Sequence, residues 1–437
     1  MGVPDTALPD FWGESTILPQ QGISIWLLAQ MVRVMLHFIS YFVPTVPGMH
    51  PLVMRVMRAL FDKVGLEGTK RKGAPLLSLL CKLYAWPVVR ATVAPNTLQS
   101  GNVPPAIWYD LRESQSAPLV PLLVFVYVHG GGFCCNIQTD PLFAAGVLPR
   151  LAARGVPARV FALDYSLAPV SRDVQLAQLL HGWTQVARHA HADTVLVLAG
   201  DSAGGHFVVS MVHELCQQAE GGRSTRLPDV LLAISPWLDV VQEGTRPLSP
   251  SRAQHLLRPS DYLSEPLVCA FAKVANHGSN HMLPTSASDL AAPDSPRYSE
   301  GLLPGRRLHR AWPMTGIWVG GAELLADDGR RLAASLAHWF YDQRLLEAEA
   351  TSDGHHVDGH AAGGRGSPTK VRNKGATPLV SRVQLFDQPG AVHDWPLMPW
   401  FDAAPGTAQR GMDELVDFVC GACKELLGAE PRHLVHR

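Results

Sequence analysis

The sequence predicts an α/β fold in which one mostly parallel, eight-stranded sheet carries helices on both faces. Two observations predict it. From about residue 87 onward, short apolar runs typical of strands alternate with longer stretches of helical periodicity, and several of the short runs are continuously apolar, as strands covered on both faces must be. Composition agrees, because 47% of the 437 residues are hydrophobic and only 17% are charged.

The predicted strands follow one another along the chain from residue 88 to residue 386. They are Val88–Val93, Ala106–Leu111, Leu122–Val128, Arg159–Asp164, Thr194–Ala199, Val230–Ile234, Gly316–Val319 and Arg382–Phe386. Helical periodicity lies between several of them, at Val174–His189, Ala203–Gln218 and Arg330–Gln343. Helices in these positions can make the crossover connections that parallel strands need.

Residues 1–86 are predicted to form an N-terminal helical cap. Within them, residues 23–43 are apolar and long enough to span a bilayer. Four polar residues at steps of three and four share one helical face of this segment: Gln30, Arg33, His37 and Ser40. Three interpretations stay open, namely a membrane span, a helix lying in a membrane surface, and a helix packed against the protein.

Residues 87–430 are predicted to form the α/β domain. Residues 242–300, rich in Pro, Ser and Leu, interrupt its pattern and are a candidate insertion into the cap. Residues 351–378 are rich in Gly and His and nearly free of large apolar side chains, which predicts a disordered loop.

Charge and cysteine content exclude some classes of protein. With 37 basic and 38 acidic residues, the chain lacks the excess of positive charge that binding to nucleic acid requires. Seven scattered cysteines do not form a disulfide framework and are expected to be reduced thiols. Acidic residues precede the first basic residue, Arg33, so no cleaved secretory signal is expected. We therefore expect an intracellular location, either cytoplasmic or on an internal membrane such as the endoplasmic reticulum.

The sharpest local signal is the pentapeptide GDSAG at residues 200–204. It comes directly after a predicted strand and directly before a predicted helix. A serine hydroxyl becomes a useful nucleophile when a tight strand-to-helix turn exposes it, and flanking glycines let the backbone bend that sharply. Ser202 is therefore the candidate nucleophile.

A second signal, HGGGF at residues 129–133, follows another predicted strand. Acyl transfer builds negative charge on a carbonyl oxygen, and backbone N–H groups that point at this oxygen stabilise the transition state. Glycines allow such a close approach. For this oxyanion hole we expect N–H donors at Gly131, Gly132 and Ala203, with Gly130 shaping the turn.

A general base and an acid are expected after two later strands. His393, in GAVHDW after the last strand, is the candidate base, because the carboxyl ends of parallel strands meet at one sheet edge. The acid should hold its imidazole in the correct tautomer. Glu323 is the first choice, since it is closest to the end of its strand, and Asp327 is the reserve.

Five motifs in order, HGGGF, DYSLAP, GDSAGG, SPW and GAVHDW, make residues 85–430 resemble the hormone-sensitive-lipase family of α/β-hydrolases. Within that family the chain is most similar to fungal steryl acetyl hydrolase-like and arylacetamide deacetylase-like members, which are membrane-associated deacetylases of hydrophobic esters. The resemblance implies Ser202 as nucleophile, His393 as base, HGGG as oxyanion loop and a helical cap over the acyl pocket. It departs from the family at Glu323, where most members have Asp.

The sequence thus predicts a serine hydrolase that cleaves lipophilic carboxylic esters, acetylated sterols among the candidates, through an acyl-enzyme and without cofactor or metal. Its expected partners are a hydrophobic ester and, through residues 23–43, a membrane surface. Two alternatives stay open. One is an amide or formamide hydrolase of the arylformamidase type, and the other is a non-catalytic ligand receptor on the same scaffold.

Overall fold

A computed structural model describes residues 31, 34–35, 49–94, 106–112, 122–222, 225–240, 260–276, 312–352, 382–398, 402 and 404–428. The strands are β1 (Val89–Val93), β2 (Ile107–Leu111), β3 (Leu123–Val128), β4 (Ala158–Leu163), β5 (Val195–Asp201), β6 (Val230–Ile234), β7 (Met314–Gly320) and β8 (Val383–Gln388). The helices are α1 (Met49–Gly68), α2 (Ala74–Ala85), α3 (Asp140–Ala153), α4 (Arg172–His189), α5 (Ala203–Glu220), α6 (Glu265–Ala275), α7 (Ala326–Ser352) and α8 (Thr407–Leu427). A π-helical turn, Thr69–Gly73, joins α1 to α2.

The eight strands form one sheet in the order β1-β2-β4-β3-β5-β6-β7-β8. The strand β2 is antiparallel to both of its neighbours, β1 and β4. All other neighbours are parallel. The predicted fold class is confirmed. Each predicted strand begins and ends within two residues of the corresponding observed strand.

The central strand β3 shows why helices cover both faces. All six of its residues are buried, and successive side chains point to opposite faces. Val124 and Val126 belong to a core built with α4 and α5, whereas Phe125 and Tyr127 belong to a second core built with α3 and α8. A strand buried on both faces needs apolar residues at every position, which is the pattern in the sequence.

The helix α3 is not among the helices that the sequence predicts. Pro149 lies inside it and favours a break. The helix forms nevertheless, since it buries Leu142, Phe143, Val147 and Leu151 against the sheet. Burial of an apolar face outweighs the weak local preference.

The helices α1 and α2 precede the sheet, and α1 packs on α6. The rings of Phe61 and Tyr262 are 6.1 Å apart, and Ser264 donates a hydrogen bond to Asp62. Because α6 lies within residues 242–300, this part of the candidate insertion is in contact with the N-terminal helices. The remainder of that segment, 242–259 and 277–300, lies outside the described residues.

Other predicted segments are only partly described. The helix α7 extends through Ser352, so the first two residues of the predicted loop 351–378 are helical, and the rest lies outside the described residues. From the predicted helix 23–43, only residues 31, 34 and 35 are described, and they are helical. None of the helices in the described ranges combines the length and the hydropathy that crossing a bilayer requires.

Candidate active site

Ser202 sits on a sharp turn between β5 and α5. Its backbone adopts φ 52° and ψ −116°, a conformation that non-glycine residues rarely take. Neighbouring glycines make the turn feasible, because a Cβ at Gly204 would lie 2.1 Å from the Val128 carbonyl oxygen and one at Gly200 would lie 2.6 Å from that of Gly204. The turn thus presents the hydroxyl of Ser202 at the carboxyl edge of the sheet, while the residue stays 8% exposed.

The glycine loop after β3 leaves backbone amides free beside Ser202. Gly131 and Gly132 have φ values of 109° and 60°, and a Cβ on Gly131 would come within 2.0 Å of the Cys135 carbonyl oxygen. Within the described part of the chain, the N–H groups of Gly131, Gly132 and Ala203 donate to no protein acceptor. These are the three amides that the sequence predicted as oxyanion donors.

Gly130 differs from its neighbours. Its N–H donates to Oδ1 of Asp201 over 3.0 Å. This amide is therefore not available to an oxyanion, and Gly130 is not a donor of the oxyanion hole. The same oxygen accepts hydrogen bonds from the hydroxyls of Tyr127 at 2.5 Å and Thr139 at 2.8 Å. Asp201 therefore ties the glycine loop to the serine turn, a link that the sequence analysis did not find.

His129, Asp164 and Tyr165 support the same loop. The His129 ring stacks on Tyr165 at 4.6 Å, and its two nitrogens lie 3.1 Å from Oδ1 of Asp164 and 2.7 Å from the Gly130 carbonyl oxygen. Burial opposes protonation of the ring, but the Asp164 carboxylate outweighs it and raises the pKa of His129 to about 9. A protonated ring can donate to both acceptors and so fix the start of the loop.

His393 lies buried in the loop after β8 and lines the same pocket as Ser202. Its Nδ1 is 3.6 Å from Oε2 of Glu323, which is longer than a hydrogen bond. The reserve acid, Asp327, is instead paired with Arg330 at 3.2 Å. Of the two candidate acids, the structure brings Glu323 to the imidazole.

Two further carboxyl groups surround His393. Asp261, before α6, accepts the N–H groups of Leu324 at 3.0 Å and His393 at 3.3 Å, and burial raises its pKa to about 6. Asp394 places Oδ2 3.4 Å from Nε2 of His393. Asp261 stands in no motif near the other site residues, so no signal in the sequence pointed to it.

Burial shifts the two central titratable groups in opposite directions. It lowers the pKa of His393, so the imidazole is neutral at neutral pH and able to accept a proton. It raises the pKa of Glu323 to about 8, although a hydrogen bond from Ser235 acts in the other direction. Glu323 is therefore expected to ionise as pH rises through about 8.

A rise in activity with pH is the expected consequence. If Glu323 acts as the triad acid, kcat/KM should increase as pH rises through about 8, because only the ionised carboxylate stabilises an imidazolium. A profile of kcat/KM for a p-nitrophenyl ester between about pH 6 and about pH 10 measures this increase, which forms the rising limb of the profile. A flat profile across that range would contradict the assignment.

An open pocket lies above Ser202. The sheet edge supplies its polar floor, while α1, α2, α6 and the segment before α6 supply an apolar wall. This wall includes Phe61, Leu77, Tyr262, Leu263, Leu267, Val268 and Phe271. A pocket whose wall is apolar suits a lipophilic ligand.

Gly132→Ala tests the spacing between the glycine loop and this wall. The added Cβ would lie 2.7 Å from the ring of Phe271 at a φ of 60°, so the loop or this ring must shift. We expect kcat to fall by about 10²-fold, as on loss of one oxyanion donor. Gly421→Ala is the control, because nothing lies within 4 Å of its Cβ position. An unchanged kcat in Gly132→Ala would contradict the expected displacement of the loop.

Comparison with known proteins agrees with this architecture. The alpha/beta hydrolase fold family matches residues 125–356, more than half of the chain. The chain is also 28% identical over 216 residues to Esterase LipU of Mycobacterium tuberculosis (strain ATCC 25618 / H37Rv), which covers 48% of this chain. The match spans only 63% of the length of that relative.

Solved structures show the same fold. An esterase from the bacterial hormone-sensitive lipase family has a TM-score of 0.56 at 18% identity, with 87% of this chain and 100% of that chain covered. A hyperthermophilic esterase from the archaeon Pyrobaculum calidifontis has a TM-score of 0.55 at 17% identity, covering 86% and 98%. Sequence motifs, sheet order and family match agree, and the chain belongs to the alpha/beta hydrolase fold family.

Proposed function

We propose that this protein is a serine hydrolase that cleaves lipophilic carboxylic esters through an acyl-enzyme. One observation carries the proposal: a serine on a strained turn, the free backbone amides of Gly131 and Gly132 and a buried neutral imidazole line one pocket with an apolar wall. The Mycobacterium tuberculosis relative, which is named an esterase, supports the same reaction class.

In the proposed mechanism, the Ser202 hydroxyl attacks the ester carbonyl while Nε2 of His393 takes its proton. The oxyanion that forms accepts hydrogen bonds from the N–H groups of Gly131, Gly132 and Ala203. His393 then protonates the leaving alcohol, and an acyl-Ser202 remains. Water attacks this acyl group with His393 again as base, which releases the acid and restores the serine.

Glu323 is proposed to orient His393 through Nδ1 and to stabilise the imidazolium. The distance of 3.6 Å between Nδ1 and Oε2 must shorten for a hydrogen bond to form. Such contacts are often long in unliganded enzymes and tighten when the substrate binds. The proposed role therefore requires only a small movement of either side chain.

The apolar wall supports a lipophilic substrate, and an acetyl ester, including an acetylated sterol, is the finer proposal. Comparing kcat/KM for p-nitrophenyl acetate and for longer p-nitrophenyl esters measures the preferred acyl length. An N-formyl arylamine in the same assay measures the alternative formamide hydrolase activity, and a receptor would turn over none of them. Labelling with a fluorophosphonate, followed by identification of the modified residue, tests the nucleophile.

We also propose that residues 23–43 contact a membrane surface. Met31, Val34 and Met35 share one helical face and are 69%, 67% and 50% exposed, which supports an apolar face turned to lipid. Exchange of Val34 and Met35 for Asp should reduce co-sedimentation of the full chain with vesicles by about tenfold. Val174→Asp is the control, because Val174 is similarly exposed on α4. Equal sedimentation of the two variants would contradict this contact.

A further inference from the structure

Ser235, the residue directly after β6, lies between the elements that carry the proposed acid and base. Its hydroxyl donates to Oε2 of Glu323 over 2.6 Å and accepts the N–H of Asp394 over 2.9 Å. The residue is fully buried, so water does not compete for either contact. One hydroxyl thus joins the end of β6, the loop after β7 and the loop after β8.

The atoms that form hydrogen bonds with Ser235 lie next to the space between the Glu323 carboxylate and the His393 imidazole. Oε2 of Glu323 is the oxygen that lies 3.6 Å from Nδ1 of His393. Asp394 follows His393 directly, so the second hydrogen bond fixes the backbone on the other side of the gap. A glutamate side chain has many rotamers, and the hydroxyl selects one that faces the imidazole.

The backbone at Ser235 points to the same conclusion. Its φ is 43°, a region where glycine or asparagine would be less strained. Its own N–H donates to the Trp318 carbonyl oxygen over 2.7 Å, which fixes the residue in place. Because the turn alone would favour glycine or asparagine, a serine in this conformation indicates that its hydroxyl is needed.

We propose that Ser235 is a positioning residue of the hydrolase, whose hydroxyl orients the Glu323 carboxylate towards the His393 imidazole and fixes the loop that carries His393. This inference rests on the proposed function. Because the hydroxyl donates to the carboxylate, it also favours the ionised form of Glu323. The other charged or titratable groups around Glu323 are His393, Asp394, Asp261, Asp328 and Arg330.

The test is the pH profile of kcat/KM in Ser235→Gly and Ser235→Ala. Glycine removes the hydroxyl and relieves the positive φ, so this variant should fold even if the alanine variant does not. We expect the rising limb of the profile to move to higher pH by about one unit. At neutral pH, kcat/KM should therefore fall by about tenfold, and above the limb it should approach the wild-type value. Ser78→Ala is the matched control.

Ser78 is also a buried serine that joins two backbone groups, since it donates to the Asn136 carbonyl oxygen and accepts the N–H of Gln138, each at 3.0 Å. It is not placed at Glu323 or His393, so its loss should leave the limb in place. An equal loss at every pH in the Ser235 variants, or an unmoved limb, overturns the positioning role.

Failure of the proposed function is distinguishable from failure of this inference. If Ser202→Ala keeps wild-type turnover, the hydrolase mechanism itself is wrong. If Ser202→Ala is inactive and Glu323→Gln removes the limb while Ser235→Gly retains the wild-type profile, only the role of Ser235 is wrong.

Discussion

Ser202→Ala is expected to lower kcat for p-nitrophenyl esters by about 10⁴-fold to 10⁶-fold, as on removal of the nucleophile in other serine hydrolases. The alanine has no oxygen to form the acyl-enzyme, while the pocket and the free amides of Gly131 and Gly132 remain. The midpoint of thermal unfolding should stay close to that of the wild type, because no described residue accepts or donates a hydrogen bond through the Ser202 hydroxyl. The measurement is steady-state turnover together with calorimetry or circular dichroism.

The matched control for this variant is Ser171→Ala. Ser171 precedes α4 and its hydroxyl does not cap that helix. It should retain wild-type turnover and fluorophosphonate labelling, whereas Ser202→Ala should lose both. Turnover that survives in Ser202→Ala would rule out the covalent mechanism, and labelling at another residue would move the nucleophile there.

Glu323→Gln should have the second largest effect, a loss of kcat of about 10³-fold to 10⁴-fold. The neutral amide keeps the size of the side chain but cannot stabilise the imidazolium that forms at His393, and it can favour the wrong tautomer. Asp327→Asn is the matched control. Asp327 is engaged with Arg330 at 3.2 Å, so its loss should change kcat by no more than about twofold.

Comparing the two variants assigns the acid directly. Glu323→Gln should also remove the rising limb near pH 8, because the group that produces it has been replaced. Should Asp327→Asn be the inactive variant, the acid would be Asp327 and the side chains would have to rearrange on substrate binding. A strong loss in Asp261→Asn alone would instead assign the role to the carboxylate beside the His393 amide.

The strands and the serine turn were readable from the sequence because their causes are local. A strand covered on both faces needs an unbroken apolar run, as in β3 and β5, and a sharp turn with close backbone contacts needs glycines at 200 and 204. The order of the motifs also placed Ser202 and His393 at one sheet edge, since parallel strands end on the same side. The helix α3 was missed because Pro149 masks it locally.

The sequence by itself determined the fold, the order of the strands along the chain and the stretches that meet at the site. Only the tertiary structure decided which carboxylate faces His393, which glycine amides stay free and that Asp261 and Ser235 lie beside the acid and base. Ser235 and Glu323 are separated by 88 residues, and Ser235 and Asp394 by 159. Contacts over such separations depend on strand order and loop geometry, which no periodicity or short motif encodes.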